Sequence, residues 1–155
     1  MSNTNAFEDV RLRFESLLWH DSELRGIILD YSVAQTKRNE PCKLSIRVDL
    51  RAKTMHSEGE VLVPTELRFL RPRFFSADVD LLGVSYCGGD ISSVECSEVS
   101  KFMQRFISET VPNFNLPQDE QSLATLKHFG IYLCNPSGQI NIVAEDFELV
   151  KIETK

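Results

Sequence analysis

The sequence predicts a single domain, residues 1–155, with an α+β fold: a mainly antiparallel curved sheet or open barrel of about seven or eight strands with two packed helices. Two stretches carry apolar residues at helical spacing, and most of the remaining chain alternates apolar and polar residues as strands do. The segments between the strands are too short for the crossover helices that parallel strands need. Neighbouring strands are therefore expected to pair antiparallel.

The chain opens with an amphipathic helix. Asn5 and Glu8 have the spacing of a capping box, in which the first side chain accepts an orphan backbone N–H of the first turn. The apolar residues that follow at helical spacing are Phe7, Val10, Phe14, Leu17 and Leu18. A helix this short is marginal alone in water, so its apolar face must pack against the rest of the domain.

Two strands are expected after this helix. In the first, Ile27, Leu29 and Tyr31 lie on one face and Leu24 and Ile28 on the other. A strand that is apolar on both faces is usually central in its sheet. The second strand, Lys43 to Arg51, alternates strictly and should bury one face while the other meets water.

A second helix is expected after residue 96. Ser97 is the predicted N-cap, and Glu98 falls in the first turn, where a carboxylate stabilises the helix dipole. The apolar residues at helical spacing are Val99, Phe102, Met103, Phe106 and Ile107. Pro112 should end the helix.

Period-two order predicts the remaining strands. The predicted segments are 61–69, interrupted by Pro64, then Ala77 to Tyr86, His128 to Cys134, Gln139 to Ala144 and 147–152, with an ambiguous short strand at 91–96. The residues between Cys134 and Gln139 have the length and glycine of a hairpin loop.

Composition excludes several classes of protein. The formal charge of −6 argues against general binding to a phosphate backbone, and it suits a protein partner with a basic surface. No run of about 18 apolar residues is present, so no membrane span is expected. The first residues lack the pattern of a secretory signal, which predicts a cytoplasmic location.

One stretch runs against the acidic balance. Arg68, Arg71 and Arg73 alternate with aromatic residues, as in a nucleic-acid surface, but a strand with solvated arginines has the same pattern. Because the chain is acidic, the second interpretation is favoured, and nucleic acid is not expected as a partner.

The four cysteines give no sign of a metal or redox site. Cys42, Cys87, Cys96 and Cys134 are widely spaced, whereas zinc ligands normally occur in close pairs. They are expected to be reduced and mostly buried. Cys87, next to two glycines, is the thiol in a loop-like setting and the one to test as a nucleophile. No phosphate-binding or dinucleotide fingerprint occurs, so no cofactor is predicted.

The candidate functional residues are Trp19, His20, Asp21 and Glu23, where the helical pattern gives way to strands. An active-site interpretation makes His20 a general base or metal ligand that a neighbouring carboxylate orients. The structural interpretation makes it a helix-end histidine beside a tight turn. The structural one is favoured, since these residues complete no known hydrolytic or metal set, and no catalytic or metal-binding residue is assigned.

The other two histidines carry weaker expectations. His56 lies in a charged loop and is expected to be solvated, and His128 begins a strand and is expected to flank the sheet. A metal site formed by all three histidines has no support in their spacing.

The segment Trp19-His20-Asp21-Ser22-Glu23-Leu24, after a short helix, resembles the start of small bacterial proteins grouped with immunity proteins of polymorphic toxins, of the Imm50-like kind. The closing pattern is similar too: Ile131-Tyr132-Leu133, then Gly138-Gln139-Ile140-Asn141-Ile142, then Ala144-Glu145. The resemblance covers about the first and last 30 residues. It implies a strand-rich α+β fold and a protein that binds and neutralises a toxin, and it carries over no catalytic residue.

Three functions follow as hypotheses. The first is a non-enzymatic protein-interaction domain, an immunity-type inhibitor with another protein as its partner. The second is a small enzyme or a metal- or ligand-binding protein that uses His20 with Asp21 or Glu23. The third is a carrier with an apolar cavity inside its sheet. The sequence leaves the oligomeric state and the identity of the partner open.

Overall fold

A computed structural model describes residues 3–30, 42–53, 60–113, 123–134 and 136–153. Within this part of the chain the helices are α1 (Asn3–Glu15), α2 (Leu81–Cys87) and α3, which begins as Lys101–Arg105, continues through a π-helical turn (Phe106–Thr110) and ends with Val111–Asn113. The strands are β1 (Glu23–Asp30), β2 (Lys43–Lys53), β3 (Glu60–Leu70), β4 (Phe74–Asp78), β5 (Ile91–Ser97), β6 (Lys127–Leu133), β7 (Gly138–Ala144) and β8 (Asp146–Lys151).

The strands form two four-stranded sheets. The first has the order β1-β2-β3-β8 and the second has the order β4-β7-β6-β5. Every pair in both sheets is antiparallel. The predicted α+β fold with antiparallel pairing is confirmed, and the strands are divided between two sheets that do not close into a barrel.

The two sheets and α1 share one apolar core. Phe14 of α1 is fully buried, and its ring lies 5.1 Å from Phe129 of the second sheet and 5.3 Å from Phe147 of the first, between centroids. Phe69 and Phe129 join the two inner faces directly, 5.2 Å apart. Each such side chain contributes about 1.5–3 kcal/mol by leaving water. The α1 stripe therefore closes the core, as the helical spacing predicted.

A bulge changes the expected position of β1. Leu24 pairs with Val48, and the register shifts before Gly26, so Leu24 shares the inner face with Ile27 and Leu29. Ile28 points to the outer face, where it is exposed. The prediction of a central strand is wrong because one extra residue reverses the alternation, and β1 lies at the end of its sheet.

The predicted strand from Ala77 to Tyr86 is also wrong. Strand β4 ends at Asp78, and the Asp80 side chain caps a helix by accepting the Gly83 N–H at 2.9 Å. The apolar run after Asp80 fits a strand or a buried helix equally well by composition, and the cap selects the helix.

Helix α3 covers part of the outer face of the second sheet. Met103, Phe106 and Val111 form a second apolar cluster with Val143 of β7, and Phe74 of β4 packs against it. Ser100 caps this helix by accepting the Met103 N–H at 3.0 Å, three residues after the predicted cap, Ser97, which ends β5. The helix also continues past Pro112 to residue 113. None of the described helices is long and apolar enough to span a membrane.

Candidate functional site

Trp19 and Ser22 anchor the segment between α1 and β1. The buried Trp19 ring packs on Phe14 with 5.0 Å between centroids, and its Nε1–H donates to the Phe14 carbonyl at 2.6 Å. The buried Ser22 hydroxyl donates to the Leu18 carbonyl at 2.6 Å and accepts the Arg51 backbone N–H at 3.1 Å. These bonds tie the end of the helix to both its own last turn and β2.

His20, Asp21 and Glu23 lie around this corner with exposed or half-buried side chains. The His20 side chain is 78% exposed, and its Nδ1 lies 3.0 Å from the Asp21 carboxylate. Asp21 adopts a φ of 62° and accepts a hydrogen bond from the Arg51 guanidinium at 2.7 Å. The Glu23 carboxylate pairs with Arg25 at 2.7 Å. The structure thus brings His20 and Asp21 together and directs Glu23 to another partner.

An open groove of about 430 Å³ lies beside His20. Its lining residues are Glu15, Leu17, Leu18, Trp19, His20 and Val94. The groove therefore combines His20 with apolar side chains and Glu15, and the Asp21 and Glu23 carboxylates lie outside it.

The basic stretch is largely engaged in ion pairs. Arg68 Nε donates to the Glu66 carboxylate at 2.9 Å, and this bond holds the pKa of Glu66 below its usual range. Arg71 pairs with Glu145 at 3.3 Å. Arg68 and Arg71 thus each have their charge offset by a carboxylate, although only Arg68 lies in a strand and Arg71 follows the end of β3.

The cysteines differ in their environments. Cys96 is buried, and burial raises the pKa of its thiol to about 12. Cys42 is half-buried and Cys134 is exposed, so the expectation of mostly buried thiols is wrong for Cys134. Cys87 is the last residue of α2 rather than part of a loop. The Cys87 side chain and the predicted solvated His56 lie outside the described residues.

A cavity with a largely polar lining lies where α3 stops covering the second sheet, and its volume is about 470 Å³. The lining residues are Ser76, Glu95, Ser97, Ser100, Lys101, Phe102, Arg105, His128, Tyr132, Gln139 and Asn141. We call it the His128 pocket. The strand register explains its polar floor, because two rows of paired residues run across the outer face of the sheet. The first row is Ser76, Asn141, Gly130 and Glu95, and the second is Gln139 and Tyr132.

Both ring nitrogens of His128 have protein partners. The side chain is buried, and its Nε2 lies 2.9 Å from the Asn141 carboxamide oxygen. Its Nδ1 lies 2.8 Å from the Ser100 hydroxyl and 3.1 Å from the Glu95 carboxylate. The ring stacks on Phe102 with 4.6 Å between centroids. The imidazole is therefore fixed in place from four directions.

Burial sets the charge of this cluster. It lowers the pKa of His128, although the Asn141 bond and the Glu95 charge act in the opposite direction. A neutral ring that donates from Nε2 to Asn141 leaves Nδ1 to accept the Ser100 O–H. Burial and the neighbouring Glu95 both raise the pKa of Tyr132, which remains a neutral hydrogen-bond donor.

Gly130 makes room for the contact between Glu95 and Tyr132. A Cβ on Gly130 would lie 2.9 Å from the Tyr132 hydroxyl and 3.0 Å from Glu95 Cγ. The Tyr132 side chain occupies this space beside Glu95, whose charge contributes to the raised pKa of Tyr132. A glycine inside a strand often marks such a close approach.

The pocket also presents free polar groups. The Asn141 side chain is 5% exposed, and within the described part of the chain its amide nitrogen has no partner. Because every fully buried side-chain nitrogen or oxygen described has a partner, this amide must reach the cavity. The Glu95 side chain, 42% exposed, adds a carboxylate. The pocket thus offers donors and an acceptor at fixed positions.

The sequence does contain a signal for this site, but it becomes visible only when two predicted strands are considered together. His128, Gly130 and Tyr132 alternate along one predicted strand, and Gln139 and Asn141 alternate along the next. Pairing the two strands across their predicted hairpin places these polar residues on one face. Glu95 has no comparable signal, because the pattern of residues 91–96 is ambiguous. Ser100 has none either, because the pattern predicts the helix cap at Ser97, three residues earlier.

The described residues hold no group of three His, Cys, Asp or Glu side chains arranged for a metal ion. No known family model and no curated protein matches the chain.

Proposed function

We propose that this chain is a non-enzymatic binding protein that recognises another protein through the His128 pocket. The proposed role is that of an immunity-type inhibitor in the cytoplasm, in keeping with the resemblance of the Trp19–Leu24 segment. The partner carries a basic surface, which suits a chain with a formal charge of −6.

The observation that carries the proposal is that some polar groups of the pocket are hydrogen-bonded within the protein while others remain available to a ligand. In the neutral imidazole of His128, Nε2 is hydrogen-bonded to Asn141 and Nδ1 to the Ser100 hydroxyl, so neither nitrogen is free to take a proton from a ligand. The groups left free, the Asn141 amide and the Glu95 carboxylate, recognise a ligand by hydrogen bonds and charge.

Co-expression with the products of the flanking genes tests this function. We expect one of them to form a stable one-to-one complex that survives size-exclusion chromatography. Gln139→Trp fills the pocket from its exposed rim and should abolish the complex, whereas Glu148→Trp, on the outer face of the first sheet, should leave it intact. No complex with any flanking product, or equal binding by both variants, would contradict the proposal.

A second candidate is a serine-dependent hydrolase in the same pocket. It is favoured by the chain Ser100–His128–Asn141, with links of 2.8 and 2.9 Å, which has the order nucleophile, base and orienting group. Against it, the Ser100 oxygen already accepts the Met103 N–H as a helix cap. A fluorophosphonate probe that labels Ser100 in the native chain but not in His128→Gln would establish this enzyme, and an unlabelled chain would exclude it.

A further inference from the structure

We propose that the His128 pocket receives a single cationic group, a guanidinium or an ammonium, and that Glu95 is its counter-charge. This inference rests on the proposed function and names the chemistry by which the partner is recognised. The group is an arginine or lysine side chain of the partner, because a basic partner suits the acidic chain.

Among the described residues, the Glu95 carboxylate is not paired with a lysine or an arginine. Among the described residues its ion-pair partner is His128, whose lowered pKa leaves the ring neutral near pH 7. Its other contact is the neutral hydroxyl of Tyr132. Glu95 lines the pocket with its side chain 42% exposed, so a guanidinium or an ammonium that enters the pocket can reach it and form a charge-assisted hydrogen bond.

Two carboxylates of the first sheet behave differently. Asp49 pairs with Arg25 at 2.5 Å, and Glu66 contacts Arg68 at 2.9 Å. These pairs show that the sheet surfaces readily supply arginines to neighbouring carboxylates. The pocket leaves Glu95 without one, and a ligand can supply the missing cation.

The remaining charges of the pocket lie on α3. Arg105 is 75% exposed and pairs with Glu109 at 3.6 Å, so a carboxylate already offsets its charge. Lys101 is exposed at the start of the helix, where solvent screens it. Both sit at the rim, whereas Glu95 belongs to the strand row of the floor. Of the three charges, the Glu95 carboxylate is the one that lies beside His128 and Asn141 on the floor, so a group that enters the pocket meets a negative charge there and a cation is favoured.

The shape of the pocket suits a planar cation. Phe102 lines the wall and stacks on His128 with 20° between the rings, which orders an aromatic surface beside Glu95. His128 covers one face of this ring, so a guanidinium can contact the part of the ring that lines the pocket while its N–H groups meet the carboxylate. The free Asn141 amide would then donate to a carbonyl oxygen of the same ligand.

Titration of the whole chain with methylguanidinium chloride, followed by NMR, tests this inference. We expect saturable shifts of the Asn141 side-chain amide, the Tyr132 ring and the His128 imidazole. Glu95→Gln should weaken binding about tenfold or more, since it removes a charge-assisted bond. Glu98→Gln removes the same charge from an exposed position three residues away and should change the affinity less than about twofold.

A second measurement needs no variant. A bound cation beside Glu95 should lower the pKa of His128 further, because the ligand competes for the same carboxylate. Acetate in place of the cation should produce none of these shifts. Saturable shifts with acetate alone, or equal affinity of Glu95→Gln and the native chain for methylguanidinium, would overturn the inference.

The affinity of the probe also assigns the source of the cation. A dissociation constant of about 1 mM or weaker fits a side chain that the rest of an interface holds in place. A constant of about 1 μM would mean a free small cation and would overturn the assignment to a partner's side chain. If methylguanidinium does not bind while Gln139→Trp still prevents the one-to-one complex, the proposed binding function is supported and the proposed recognition of a cation is contradicted.

Discussion

The Nε2 of His128 lies 2.9 Å from the carboxamide oxygen of Asn141, across the pairing of β6 and β7 on the outer face of the second sheet. This bond fixes the tautomer of a buried imidazole, and it also directs the Asn141 amide into the pocket. One hydrogen bond therefore links the stability of the sheet to the geometry of the proposed recognition site.

Removing the Asn141 acceptor should destabilise the protein. Asn141→Ala leaves a buried Nε2–H without a partner, and we expect the free energy of unfolding to fall by about 1–3 kcal/mol. Because the Asn141 bond raises the pKa of His128, that pKa should fall further in the variant. Urea unfolding and NMR titration measure both effects. Gln139→Ala, at an exposed position of the same strand, is the control, and an equal loss in both variants would contradict this account.

Stability should depend on pH through His128. Burial holds the pKa of His128 in the folded chain below 6.5, its value in the unfolded chain. At a pH between the folded and the unfolded pKa, the unfolded chain therefore binds a proton that the folded chain does not. The free energy of unfolding should therefore fall as the pH drops below about 6.5, by at most about 1.4 kcal/mol per pH unit. Above that pH, His128 contributes no slope.

The charged and titratable groups that face His128 are Glu95 on β5, Tyr132 on β6, and Lys101 and Arg105 on α3. Of these, Glu95 opposes the shift, and burial outweighs it. Urea unfolding at several pH values should show a reduced slope in His128→Gln compared with the native chain. An unchanged slope in His128→Gln would refute the assignment.

The sequence predicted the pattern-driven elements well and the site poorly. The strict alternation of β2 and the stripe of α1 follow from local periodicity, and the structure has both. The bulge after Leu24 and the Asp80 cap each depend on one residue, and both reversed a prediction. The His128 pocket depends on the register of four strands and on a helix cap, which no single segment encodes.

The Trp19–Leu24 segment should separate into structural and surface residues when mutated. Trp19→Phe removes the bond to the Phe14 carbonyl and leaves a cavity in the core, so we expect a loss of about 2–4 kcal/mol. His20→Ala changes an exposed side chain and should stay within about 0.5 kcal/mol. Chemical denaturation compares the two. A large loss with His20→Ala would show that the fold uses this histidine.

Gly130→Ala should damage the pocket more than the fold. The new Cβ would press on the Tyr132 hydroxyl and on Glu95 Cγ, and both side chains are partly exposed and can move outward, so stability should change by less than about 1 kcal/mol. Binding of methylguanidinium should weaken about tenfold, because Glu95 is displaced. Gly26→Ala meets no atom within 4 Å and serves as the control. Unchanged binding in Gly130→Ala would contradict the proposed position of Glu95.

The most direct test of the account follows the pocket itself while a partner binds. NMR spectra of the chain, free and in the one-to-one complex, report on the Asn141 side-chain amide and the His128 imidazole. We predict that both signals shift on binding, and that residues on the outer face of the first sheet, such as Glu148, do not. A complex that shifts the first sheet and leaves the Asn141 and His128 signals unchanged would contradict the account.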